Sequence, residues 1–462
     1  MQPLDFYVFV SGENPDAQTA PLRMATALES STSALGWPVG RIVGSERGLA
    51  AHFRVSRETV REAVKIVERR GSLRMLRGRF GGLGVTRPAL EQVASALAAH
   101  LRAIGCTHGQ LAEMLRVLRP IMISSVLQNS RPIDERGCEE SIAAWLARLS
   151  GEPALALFIM AAEFLLGEVT SATPYEREAE WAFKSALVAG DPGAALELAE
   201  RFPIGPPSAS KRPEWGLFST RHARSALVAR RIFDRLMTAP GNSCHRLGTE
   251  WDLSNSYRAS RAVIRQSLRI LADLDMLETR RGRCGGVFLK RPAPVGITRQ
   301  VFPYFAAEGL KPAALVWLMW ELNVAHLRLA AHRISLLNAA ERGRYCDKLS
   351  GILDTATEPQ RWILLQQALG ELVRNPAIDT LARCIVTYQV RLMPEVPPPP
   401  GDFDSSLLRF QRGIVDALRA CDTPRAVTMH RAAQQRMSDY QASWPKADVA
   451  PAGELGRSSP AG

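Results

Sequence analysis

Two pairs of arginines stand out for what they could bind. Arg57 and Arg61 lie four residues apart, and Arg261 and Arg265 repeat that spacing later in the chain. At helical pitch such a pair shares one face. Guanidinium forks match phosphate oxygens and the guanine edge, so two on one face can recognise a polyanion. Each pair directly follows a serine, Ser56 or Ser260, suited to cap a helix, and Thr59 stands beside the first pair. Further on come two Arg-Gly-Arg tips, Arg77-Gly78-Arg79 and Arg281-Gly282-Arg283. Glycine there permits positive φ and close backbone approach to a phosphate or the minor groove. The chemistry suggested is recognition, not catalysis. No GxSxG, HExxH, P-loop or paired Cys-His signature occurs, and GGLGV has no βαβ unit around it, so no enzyme is expected.

The elements that must position these residues can be read in both places. SERGLAAHF reads as a short helix opened by Ser45, and RVSRETVREAVKIVERRG as a turn and a second helix capped by Ser56. Val60, Ala63, Val64 and Val67 recur at helical spacing and should be buried, which turns Arg57 and Arg61 to another face. Ile264, Ser267, Leu268 and Leu271 do the same for Arg261 and Arg265. LRMLRGRFGGLGV and LETRRGRCGGVFL then read as β-hairpins. A short helix, a turn, a second helix with arginines at its N-terminal end and a hairpin wing match a reader of the major groove.

The duplication is in register. Residues 44–88 recur at 248–292 with a constant offset of 204. Gly44, Glu46, Leu49, Ser56, Arg57, Arg61, Arg77, Gly78, Arg79, Gly81, Gly82, Arg87 and Pro88 all find the same residue there. One recurrence at that distance indicates a duplicated domain, not a solenoid. The charge follows the duplication: the chain carries +12, and residues 41–88 hold twelve basic and four acidic residues, net +8. Residues 245–292 hold ten and five, net +5, which leaves −1 for the rest. A phosphate backbone is the expected partner of that excess.

GSERGLAAHFRVSRETVREAV followed by a glycine-rich wing resembles the DNA-binding domain of GntR regulators, especially the FadR-like branch. The resemblance implies DNA contacts by Arg47, Arg57 and Arg61, support from Ser56 and Thr59, and a wing contact by Arg77 and Gly78. In the second unit it implies Ser260, Arg261, Arg265, Arg281 and Gly282. Trp251 stands where the first unit has Arg47, and it cannot make arginine's bidentate contact with guanine. The second unit should therefore read a different or weaker half-site, and the preferred DNA is an imperfect palindrome.

The expected fold is mainly α, with two winged helix-turn-helix domains alternating with two all-α helical-bundle effector domains. Their boundaries are read as 18–88 and 216–292 for the winged domains, 90–202 and 297–440 for the helical ones, 203–215 for a linker and 446–462 for a disordered tail. EVPPPPG must be a loop between helices. The helical stretches resemble the effector domain that follows the winged unit in FadR-like regulators. Many such domains hold a metal through one Asp and three His. The matching positions here are Glu139, Ala143, Glu180 and Phe202, then Trp362, Gln366, Gln411 and Ala433, with no histidine among them. No metal or other cofactor is expected. Trp317, Trp320 and Trp362 could line an apolar pocket or pack a core, and His326, His332 and His430 read as ordinary packing or surface residues.

The function expected is a transcription regulator, a repressor by the resembled family's usual output, controlled by a small molecule. An organic acid or acyl compound is a candidate effector. The alternative is a DNA-binding protein whose helical domains serve only assembly. Pairing of the two winged units within the chain and a homo-oligomer are both open. Seven scattered cysteines and no apolar run near the roughly 20 residues of a bilayer span favour a cytoplasmic protein without a membrane partner.

Overall fold

The computed structural model describes residues 19–78, 81–128, 142–166, 174–200, 224–238, 245–280, 282, 285–311, 314–357, 360–392 and 400–442. The linker at 203–215, the tail at 446–462, Arg79, Arg281, Arg283, Glu139, Phe202 and most of EVPPPPG lie outside them. The fold is mainly helical with two small antiparallel sheets. The chain divides into two compact units, one ending at Leu310 and the next beginning at Lys311.

The first unit opens with α1 (Ala20–Ala34), β1 (Ile42–Gly44), α2 (Glu46–His52) and α3 (Arg57–Arg70). Ser45 and Ser56 cap α2 and α3, their hydroxyls accepting from the amides of Gly48 and Thr59, each at 3.1 Å. Val60, Ala63, Val64 and Val67 are buried on one stripe of α3, and Gly71 stops the helix at φ 72°. The hairpin of β2 (Leu73–Leu76) and β3 (Gly82–Val85) follows. The sequence led us to expect that hairpin alone, but β1 adds a third strand, giving the order β1-β3-β2.

From the sheet the chain enters α4 (Leu90–Ala103), whose residues Val93 to Leu101 are all buried. Then come α5 (His108–Gln128), α6 (Ile142–Ser150), α7 (Pro153–Leu166), α8 (Pro174–Val188) and α9 (Pro192–Glu200). Helix α4 packs against α7, and α5 against α6, α7 and α9. The winged unit is thereby anchored through α4 to a helical layer.

The repeat then returns as α10 (Arg224–Thr238), β4 (His245–Gly248), α11 (Glu250–Ser256), α12 (Arg261–Asp273), β5 (Leu277–Arg280), β6 (Gly286–Leu289) and α13 (Pro294–Ala307). Its sheet order is β4-β6-β5. Helices α10 and α13 lie 204 residues after α1 and α4, so the structural repeat is longer than its stretch of sequence identity. Even the irregularities recur: Arg54 and Arg258, in equivalent turns, hold left-handed φ of 52° and 48°. Non-glycine residues pay roughly 1 kcal/mol for that conformation. Helix α13 falls within the first compact unit, which ends at Leu310.

The second unit holds α14 (Ala314–Ser335), α15 (Ala339–Thr355), α16 (Gln360–Val373), α17 (Pro376–Leu392), α18 (Phe403–Arg419) and α19 (Thr423–Ala442). Helix α14 packs against α16, α17 and α19 around a core that includes Leu327, Ile334, Leu365, Leu369 and Ile414.

Candidate nucleic-acid interface

Capping fixes where α3 and α12 begin, and this is where the paired arginines stand. Ser56 and Thr59 hydroxyls lie 2.9 Å apart, so both serve the first turn of α3. In the second winged unit Ser260 accepts from the Val263 amide at 3.4 Å. Arg57 and Arg61 remain 65% and 62% exposed, and both Nε atoms approach Glu46 Oε1, at 3.3 and 3.0 Å. Arg265 repeats the contact with Glu250 at 3.6 Å, while Arg261 is exposed. Exposed ion pairs of this kind contribute little stability. They tether the guanidinium groups to the first turns of α2 and α11.

Around these residues the surface is basic. Arg47, Arg54, Lys65, Arg74 and Arg77 are exposed in the first winged unit, and Arg246, Arg258 and Arg280 in the second. At the wing tips Gly78 and Gly282 adopt φ of 117° and 102°, and their carbonyls accept from Gly81 and Gly285 at 2.9 and 2.8 Å. Trp251 is 60% exposed on α11, at the place Arg47 occupies on α2.

Five arginines of the basic excess do something else. Arg70 is buried between the winged units: Nη1 lies 2.6 Å from Glu29 Oε2 and Nη2 2.6 Å from Asp273 Oδ1. Ser72 donates to Glu29 at 2.8 Å and Gln300 to Asp273 at 3.0 Å. Arg69 Nη2 stands 3.7 Å from Asp273 Oδ2. Burial alone would raise the Asp273 carboxyl, but Arg70 and Arg69 outweigh it and hold it at about 2. Arg269 reaches Glu62 across the same interface at 2.6 Å. Arg87 donates to the Ala307 carbonyl at the end of α13, at 3.3 Å. Its counterpart Arg291 lays its guanidinium against Gly105, just beyond the end of α4, close enough that a side chain there would clash. The charge count missed this division because it records how much charge a segment has and not which way it points.

In the second unit Trp320 and Trp362 meet at 5.2 Å between ring centroids, and His430 contacts both, at 5.1 and 5.3 Å. The sequence groups Trp317 with Trp320 and sets Trp362 at a distance; the structure brings Trp362 against Trp320 and adds His430. Burial pushes His430 down to about 3, so its ring is neutral, and neither ring nitrogen has a hydrogen-bond partner. Both amide atoms of Gln366, one turn beyond Trp362, lack one too. Gln411 and Ala433 are buried in this unit. Ala143 and Glu180 lie on α6 and α8, with their side chains outside the described residues. Among the described residues no three His, Cys, Asp or Glu side chains group closely enough to hold a metal, and no helix is long and apolar enough to cross a membrane.

No protein-family model matches the chain, and no curated protein does. Among solved structures, Streptococcus agalactiae GntR is similar over 47% of this chain and 99% of its own, at 18% identity and a TM-score of 0.32.

Proposed function

We propose that the chain is a sequence-specific DNA-binding transcription regulator related to the GntR superfamily, FadR-like branch, with a tandem pair of winged units. One observation carries the reading. Twice, at an offset of 204 residues, a serine-capped second helix presents exposed arginines beside a glycine-tipped wing. Arginines at the start of such a helix reach base edges, while wing and turn arginines neutralise phosphates. With Trp251 opposite Arg47 in the repeat, the two readers differ, and an imperfect palindrome is the DNA they suit.

Repression under small-molecule control is the regulatory mode we propose. The interior of the second unit supports an effector site there: Trp320, Trp362 and His430 offer aromatic faces, and His430 and Gln366 carry hydrogen-bonding atoms without protein partners. Buried polar atoms left unsatisfied cost about 1–3 kcal/mol each, which a ligand with matching donors and acceptors would recover. Selection of bound duplexes from a random library by the purified chain tests the DNA reading. Enriched half-sites whose affinity falls in the Arg57→Ala/Arg61→Ala variant are expected, and equal binding to scrambled DNA would overturn it.

A further inference from the structure

The interface between the two winged units is symmetric in outline and asymmetric in charge. Helix α4 packs against α13, α1 against α13 and α10 against α4, so each unit's first helix meets the helix that leaves the other. Arg87 and Arg291 are equivalent residues, and each reaches the end of the helix that leaves the other winged unit, at Ala307 and beside Gly105. Residues 69 and 273 are equivalent positions as well, yet one is Arg69 and the other Asp273. Likewise Arg70 corresponds to Leu274, Glu29 to Phe233 and Gln300 to Ala96. All the symmetric contacts would survive if two first units or two second units were paired.

The charges would not. Two first units would bury four guanidiniums, from Arg69 and Arg70 twice over, against only two Glu29 carboxylates. Two second units would set Asp273 against Asp273, with Leu274 and Phe233 where the cation and its counterion should stand. A buried charge left without its partner costs about 3–5 kcal/mol. Only the mixed pair balances, and in it Arg70 has a carboxylate on each side.

We propose that this face is a heterotypic recognition surface: Glu29, Arg69 and Arg70 select Asp273 and Gln300, so the two winged units pair within one chain and exclude a second copy. The packed helices supply affinity, and the mismatched charges supply choice of partner. Tethering favours the partner in the same chain over an identical one in another. A single chain therefore presents both readers at a fixed separation. Self-recognition of this kind needs no contact between the wings and DNA.

The test uses the full chain with Cys106, Cys138, Cys244, Cys284 and Cys421 replaced by serine, leaving the buried Cys346 and Cys384. In that background Glu62→Cys with Arg269→Cys places two thiols where an ion pair now crosses the interface. A short bismaleimide should join them within single chains of about 50.7 kDa at every protein concentration. Covalent dimers, or no linked product, would overturn the proposal. Glu62→Cys alone, which could be linked only to a second copy, should give no linked dimer, and a dimer there would also overturn it. Adding Asp273→Arg should lower the intrachain yield at least about tenfold, equivalent to 1.4 kcal/mol or more, whereas Asp273→Glu should retain it. An undiminished yield with Asp273→Arg refutes the charge selection, and the linking pattern of the unreversed protein decides the pairing even if that variant does not fold.

Discussion

Removing the Asp273 carboxylate should destabilise the paired winged units by about 3–5 kcal/mol. The magnitude follows from what the group holds. Its Oδ1 accepts from Arg70 Nη2 at 2.6 Å, and its Oδ2 accepts from Arg70 Nε at 3.4 Å and Gln300 Nε2 at 3.0 Å. Charge-assisted bonds of this sort contribute about 1.5–3 kcal/mol each, and Asp273→Ala leaves Arg69 with no counterion in the interface. Glu29 continues to serve Arg70, which keeps the loss below the sum of the separate bonds. A double-mutant cycle with Arg70→Ala isolates the pair, and coupling of at least about 2 kcal/mol is expected. Urea titration read by hydrogen exchange in α3 and α12 peptides measures it locally, which matters because a chain of two compact units need not unfold in one step. Acid gives an independent reading. Asp273 titrates at about 2 when folded against 3.8 ordinarily. Its contribution, about 2 kcal/mol, is thus complete above pH 4 and is lost as pH falls towards 2. Coupling under about 0.5 kcal/mol, together with unchanged acid sensitivity in Asp273→Ala, would refute the reasoning.

Three further outcomes follow from the same geometry. Each of Arg57→Ala and Arg61→Ala should cost about 1–3 kcal/mol of cognate binding where a base contact is lost, measured by fluorescence anisotropy against a scrambled duplex. Trp251→Arg, which gives the second unit the first unit's residue, should tighten binding and shift its half-site preference towards guanine in duplex selection. His430, neutral in the fold with a value near 3 against 6.5 ordinarily, stabilises the second unit fully above about pH 6.5, and that stability fades as pH falls through this range. His430→Phe should flatten the acid dependence of Trp320 and Trp362 fluorescence between pH 6 and 4, and an unaltered profile would count against it.

What was legible in the sequence was local. Ser56 before Arg57, valines at helical spacing and glycines between two strands each declare themselves within a dozen residues, and their recurrence at one offset doubles the signal. Helices α1 and α10 escaped the comparison because they pack through apolar faces that many sequences can supply. Strand β1 is three residues long and gains its identity only by pairing with β3. The roles of Arg70 and Asp273 depend on a contact across 203 positions, which no periodicity encodes. His430 looked isolated for the same reason: its aromatic neighbours are on α14 and α16, far away along the chain.

Glu46 and Glu250 hold equivalent arginines at the starts of α3 and α12, and on the proposed reading of these helices as DNA readers that pairing has a kinetic meaning. A carboxylate already engaging the guanidinium groups must be displaced or shared when a phosphate arrives, so each random encounter with a duplex gains less than bare arginines would provide. Only where a base edge completes the arginine's geometry is the exchange worth making. Tethered acids at the reading tips would thus shorten residence on irrelevant sequence and speed the search for a target among a large excess of decoys.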